Sequence, residues 1–134
     1  MVNRLNTTIR YAVRAVLVLA SHRDNPISIK EISEHEDLSV KYLEQLFLKL
    51  RKAGLVKSVR GMYGGYFLAR PPDKISLGDV IKAVQPNGVY AAPCTRKSKH
   101  CIREKNCSAH EYWEKLRALL DDFFASTTLA TLKD

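Results

Sequence analysis

Residues 28–54 read SIKEISEHEDLSVKYLEQLFLKLRKAG, and the order of caps, apolar positions and breakers in this stretch sets the architecture. Ser28 followed by Glu31 is a capping box, in which the hydroxyl takes a backbone N–H of the first turn and the carboxylate reaches back to the cap. It opens a short helix with Ile29 and Ile32 inward, expected to run to Glu36. Asp37-Leu38 then turns the chain and Ser39 caps again. Leu43, Leu46, Phe47 and Leu50 keep helical period up to Ala53, where Gly54 stops the helix. Two helices joined by about three residues make a helix-turn-helix.

Upstream, Ile9, Tyr11, Ala12, Val13, Ala15, Val16, Val18, Leu19 and Ala20 are apolar on nearly every side of a helix, which predicts a largely buried one, ended by Asn25-Pro26. Downstream the period changes. Leu55 to Val59 and Gly65 to Ala69 are β-prone runs around Arg60-Gly61-Met62-Tyr63-Gly64, a hairpin with a glycine-bearing tip. Three helices and a hairpin in this order are the layout of a winged helix-turn-helix, whose second motif helix enters the major groove while the hairpin lies along the backbone or minor groove.

Pro71-Pro72 is expected to be a stiff extended connector. Ser76 with Asp79 caps a further helix, with Leu77, Val80, Ile81 and Val84 inward and Pro86-Asn87-Gly88 at its end. Val89 to Pro93 reads as loop. Ser108 with Glu111 is expected to be a third capping box, starting a long helix whose Tyr112, Trp113, Leu116, Leu119, Leu120, Phe123 and Phe124 cover a wide apolar stripe. That stripe exceeds what a domain of this size needs and reads as a dimerisation face. The expected fold class is therefore mainly α with a small β-hairpin: a winged helix-turn-helix domain plus a long C-terminal dimerisation helix. Residues 1–86 form the DNA-binding domain, 87–107 a cysteine cluster loop, and 108–134 the dimerisation helix and tail.

All three cysteines, Cys94, Cys101 and Cys107, fall with His110 inside one seventeen-residue stretch, separated by six, five and two residues. Three thiolates and one imidazole suit zinc or an iron-sulfur cluster. Arg96, Lys97, Lys99, Arg103 and Lys105 between them argue against a dry apolar role. A loop this polar cannot order itself by burial, so it needs a ligand, disulfides or a partner surface, or else it stays mobile. An odd number of clustered cysteines favours metal binding or redox sensing over a disulfide framework.

The 134 residues carry a net charge of +8. Residues 1–70 hold 12 basic against 6 acidic side chains, and 94–107 hold 5 against 1, whereas 108–134 hold 3 against 5. A basic first half points to a polyanionic partner, double-stranded DNA ahead of a membrane, since no basic amphipathic surface helix accompanies it. Tyr11 to Ala20 contains Arg14 and is too short to span a bilayer, so a cytoplasmic location is expected. On the expected reading helix, Ser39, Lys41, Tyr42, Glu44 and Gln45 are placed to meet base edges, Lys49, Arg51 and Lys52 to reach phosphates or solvent, and Arg60 at the hairpin tip to enter a narrow minor groove. No nucleophile elbow, phosphate loop or paired-carboxylate motif is present, so no enzyme is expected. A small electron carrier would leave the winged-helix pattern unexplained.

The segments Arg10 to Ala15, Lys41 to Leu46, Leu48 to Val56, Ser58 to Gly61, Gly64 to Tyr66 and Leu77 to Ile81 resemble the iron-sulfur cluster regulators of bacteria, the IscR and NsrR type, over nearly the whole chain. The resemblance implies a homodimeric winged-helix transcription factor sensing iron-sulfur, redox or nitric oxide status. By it, Cys94, Cys101 and Cys107 match the cluster cysteines, and His110, separated from the last of them by two residues, matches the fourth ligand of an IscR-like 2Fe-2S site. In nitric-oxide-sensing relatives a carboxylate near the chain start takes that role; here the similar position is Arg10, which cannot ligate. The same ligands would accept a 4Fe-4S cluster or zinc. The first cysteine gap is one residue longer than the family pattern, and Met62-Tyr63 replaces its usual Pro-Gly at the wing tip. The competing reading is a winged-helix regulator with a structural zinc or a thiol redox switch in place of the cluster.

Overall fold

Asn6 begins the first helix by accepting the Ile9 N–H on its side-chain oxygen at 2.9 Å, and its amide also reaches Gln85. The computed structural model describes residues 6–86, 89 and 106–132. The helices are α1 (Thr7–Ser21), α2 (Ile29–Glu36), α3 (Val40–Lys52), α4 (Leu77–Val84), α5 (His110–Ser126) and α6 (Leu129–Leu132). Strands β1 (Val56–Val59) and β2 (Gly65–Leu68) form an antiparallel hairpin between α3 and α4, with Val56 opposite Leu68 and Val59 opposite Gly65.

Local chemistry accounts for most element starts. Both capping boxes, Ser28 with Glu31 and Ser76 with Asp79, are formed, and the Ser39 hydroxyl accepts from the Tyr42 N–H at 3.0 Å. Asp37 adopts φ +55 between α2 and α3, a conformation that aspartate tolerates better than most residues, and Gly54 at φ +77 lies just past the end of α3. One core runs through these elements: Ala12, Ala15, Val16 and Leu19 of α1, Ile32 of α2, Leu43, Phe47 and Leu50 of α3, and Val80 and Ile81 of α4. The Phe47 ring packs on Tyr66 of β2 at 4.7 Å between centroids. The molecule is thus mainly helical with a two-stranded wing.

Arg14 ties α1 to the end of α2 through the Glu36 carboxylate at 2.9 Å and also reaches the Glu36 carbonyl. Burial alone would raise the Glu36 pKa; hydrogen bonds from Arg14 and His35 outweigh it and hold the carboxyl below its ordinary range.

Two expectations are corrected. Pro71 is extended, but Pro72 opens a 3-10 turn, Pro72–Lys74, because proline's fixed φ suits a first helical position. Ser108 does not cap α5. Ala109 precedes the helix in a helical conformation (φ −88°, ψ −13°), so the extended backbone that a serine cap requires is absent. The N–H groups of His110 and Tyr112 bond instead to the Cys107 and Ala109 carbonyls, at 3.2 and 3.0 Å. Glu111, freed from a box, pairs with Lys115 at 3.3 Å. The tail returns to the domain: Leu77 N–H bonds to Thr127 O at 2.7 Å and Leu129 N–H to Ile75 O at 3.0 Å, which seats the fully buried Leu129 in the shared core.

Candidate nucleic-acid interface and cysteine site

The buried face of α3 is set by Leu43, Leu46, Phe47 and Leu50, so Lys41, Glu44, Gln45, Leu48 and Lys52 fall on the opposite face. The turn in front of this helix is pinned, with Leu38 buried, its N–H on the Ser33 carbonyl at 3.2 Å, and its own carbonyl taken by the Ser33 hydroxyl. A helix held this firmly at its N-terminus presents side chains in a fixed frame, which groove reading demands.

Of the six residues expected to contact DNA, Ser39, Lys41, Glu44, Gln45 and Arg60 are exposed. Glu44 and Lys41 form no ion pair with each other or with other described residues, leaving both heads in solvent. Tyr42 is turned away from that face. Its hydroxyl donates to Thr8 Oγ1 at 3.2 Å and its ring meets Tyr11 edge-on at 5.9 Å, so it couples α3 to α1. One apolar residue on the outward face went unnoticed in the sequence: Leu48, 47% exposed. Its signal is an apolar side chain out of phase with the inward set. Lys49 and Lys52 line an open groove with Arg70 and Lys82 of the α4 side, where they also complement the negative end of α3.

The wing stands beside this helix. Its second strand is fixed near the turn by two backbone hydrogen bonds between Ile27 and Tyr66, at 2.8 and 2.9 Å, which add one bridge of a third strand. Arg60 and Lys57 project from it, both exposed.

The second candidate site is only partly within view: Cys94 and Cys101 lie outside the described residues. Cys107 is exposed and His110 half-buried, the latter being the first residue of α5. The bond from His110 N–H to Cys107 O closes one turn and brings a thiol and an imidazole to the same end of the helix. Among the described residues, no three His, Cys, Asp or Glu side chains gather to hold a metal. A soft sulfur donor and a borderline nitrogen donor on one turn nonetheless suit zinc or an iron-sulfur centre better than a hard cation. Arg10 sits on α1 with its guanidinium 5.9 Å from the Tyr11 ring.

Beyond this turn α5 packs on α4 through the buried Phe124 and half-buried Leu120. Tyr112, Leu116, Leu119 and Phe123, spaced four, three and four residues apart, line its outer side, with Leu119 67% exposed. Arg117 pairs with Glu114 and Asp121, at 2.9 and 2.8 Å, on the flank of this row.

The family model described as an iron-dependent transcriptional regulator, Rrf2, matches residues 5–134. The chain belongs to the Rrf2 family. This Rrf2 protein is 45% identical over 130 residues to the HTH-type transcriptional regulator IscR of Vibrio cholerae, covering 96% of this chain and 74% of that one. Among solved structures, T. potens IscR superposes with a TM-score of 0.78 at 38% identity over 96% of this chain and 85% of that one. The oxidized form of Staphylococcus aureus CymR does so with a TM-score of 0.80 at 33% identity, over 98% and 96%. The Rrf2 protein is accordingly a DNA-binding transcriptional regulator of the IscR type, with a winged-helix fold, and not an enzyme. No described helix is long and apolar enough to cross a membrane.

Proposed function

We propose that the protein is a cytoplasmic homodimeric regulator whose operator affinity is set by a 2Fe-2S cluster on Cys94, Cys101, Cys107 and His110. The observation that carries this reading is the turn joining Cys107 to His110 at the start of α5. A centre bound there would pull on the helix whose inner side packs on α4 and whose outer row, Tyr112 to Phe123, would seat the second copy. A row spaced four, three and four is a coiled-coil seam, and its exposed apolar area is a reason to pair. The cluster supplies a centre whose charge and presence change with redox state and iron supply. It regulates only if its two states differ in how well they fit the DNA-bound form.

In this division of labour residues 1–86 read DNA, 87–107 hold the cluster and 108–134 pair the subunits. Ser39, Lys41, Glu44, Gln45 and Arg60 make the contacts: Gln45 and Glu44 to base edges, Lys41 to phosphate, Arg60 to the minor groove, with Leu48 placed for a thymine methyl group. Tyr42 serves instead to hold the reading helix on α1.

The test is an anaerobic absorption and paramagnetic-resonance spectrum of the purified protein with metal analysis, followed by duplex titration with and without the centre. Iron and sulfide with a 2Fe-2S spectrum, lost in Cys101→Ala together with the difference in affinity, is the expected result. Zinc alone overturns the cluster. A second reading rests on the exposed Cys107 thiol and on the likeness to a CymR solved in an oxidized form: a thiol switch, with or without structural zinc. It predicts DNA affinity that follows thiol oxidation in metal-free protein.

A further inference from the structure

The wing ends in an apolar tip that the contacts above leave unused. Met62 and Tyr63 are 89% and 86% exposed, more than any other large hydrophobic side chain among the described residues. They are the two central residues of a turn closed by the Gly64 N–H on the Gly61 carbonyl at 3.1 Å, so both side chains point away from the strands. The backbone after the turn is closely packed. Gly61 has φ +114, and a Cβ on Gly64 would lie 2.2 Å from the Val59 carbonyl oxygen. A Cβ on Gly65 would lie 2.4 Å from the Ile27 carbonyl. Just past the turn, Tyr66 locks the second strand to the core through Ile27 and Phe47. Two large side chains are therefore held out beside the core, one glycine beyond the exposed cation Arg60, at a cost in unburied apolar surface that the free protein never recovers.

Resting on the DNA-binding reading, we infer that Met62 and Tyr63 enter the minor groove with Arg60, Met62 as a wedge at a base step and Tyr63 against the neighbouring sugar wall. Minor-groove proteins insert apolar side chains, methionine among them, between base steps and kink the duplex. An unbranched thioether adapts to a partly opened step. The guanidinium one residue before the turn supplies the charge complementarity that commits this apolar tip to a polyanion. A wedge makes the step itself part of the recognised sequence, because flexible pyrimidine–purine steps open most readily. Specificity then arises outside the major groove, from residues of this chain where its family pattern has Pro-Gly.

The experiment uses the whole protein and a duplex that it selects from a random-sequence pool, with 2-aminopurine placed in turn at each flanking step. Binding of the wild type should raise the fluorescence at the steps beneath the wings. Met62→Ser should abolish the rise, lower affinity about tenfold and remove the preference for a flexible step, and Tyr63→Ser should weaken binding without abolishing the rise. Both positions are solvent-exposed, so thermal melting should be unchanged. The inference is overturned if no step unstacks and both variants bind like the wild type while Lys41→Gln still weakens binding, which would leave the DNA reading standing. It is equally overturned if the tip variants keep DNA affinity but lose association with a protein. Failure of the wild type to select any duplex removes the reading beneath it as well.

Discussion

Ile27 and Tyr66 exchange both backbone hydrogen bonds, tying the residue before the first motif helix to the second strand of the wing. The wing is therefore part of the helix-turn-helix framework, and the close approach of Gly65 to Ile27 is what makes the exchange fit. Gly65→Ala should cost roughly 2–4 kcal/mol, since backbone must move to admit the methyl group at a positive φ. Urea unfolding followed by far-ultraviolet circular dichroism measures it; an unchanged midpoint would show that the wing hangs free.

The Arg14–Glu36 contact gives the fold a pH dependence of known sign. The Glu36 carboxyl is held below its ordinary range in the folded chain, so the stability it lends is present above the unfolded carboxylate pKa and is lost as pH falls through the folded value. Arg14→Met should lose about 0.5–1 kcal/mol at neutral pH, and the deficit should shrink in acid once the Glu36 carboxylate is protonated, leaving the part owed to the bond with the Glu36 carbonyl. Parallel unfolding curves at neutral and acid pH decide it.

Base and phosphate contacts separate by their response to salt. Gln45→Ala should cost about 1–3 kcal/mol on the selected duplex and relax its sequence preference. Lys41→Gln should weaken all duplexes alike and lessen the logarithmic salt slope by about 0.9 per subunit contact. Lys49, turned toward Arg70 and Lys82, should leave the slope unaltered when changed to Gln. Anisotropy titrations over a range of salt concentrations distinguish the three.

On α5 the two apolar sides should fail differently. Leu119→Glu and Phe123→Glu, at exposed positions, should yield a folded monomer with weakened operator binding, whereas Phe124→Ala, 8% exposed against the core, should lower stability by about 3–5 kcal/mol. Sedimentation equilibrium beside thermal melting tests this, and a dimer surviving Leu119→Glu would place the pairing face elsewhere.

Much of the architecture was legible in the chain because its signals are short in range. A capping box needs only residues three apart, as Ser28 with Glu31 and Ser76 with Asp79 show, and the period of Leu43, Leu46, Phe47 and Leu50 names a buried face without a partner in view. The same serine-to-glutamate spacing misled at Ser108, because a cap also requires extended backbone and the turn at Cys107 enters the helix already wound. The four-residue α6 is too short to show a period.

By itself, the sequence determined the helix-turn-helix, the wing and the grouping of thiols ahead of the last long helix, since each depends on neighbours along the chain. Tertiary structure alone decided that Tyr42 meets Thr8 and Tyr11, that Ile27 completes the wing, and that Leu129 returns to the core. Those outcomes depend on surfaces brought together from distant parts of the chain, where burial and hydrogen bonding across elements override what any one stretch prefers.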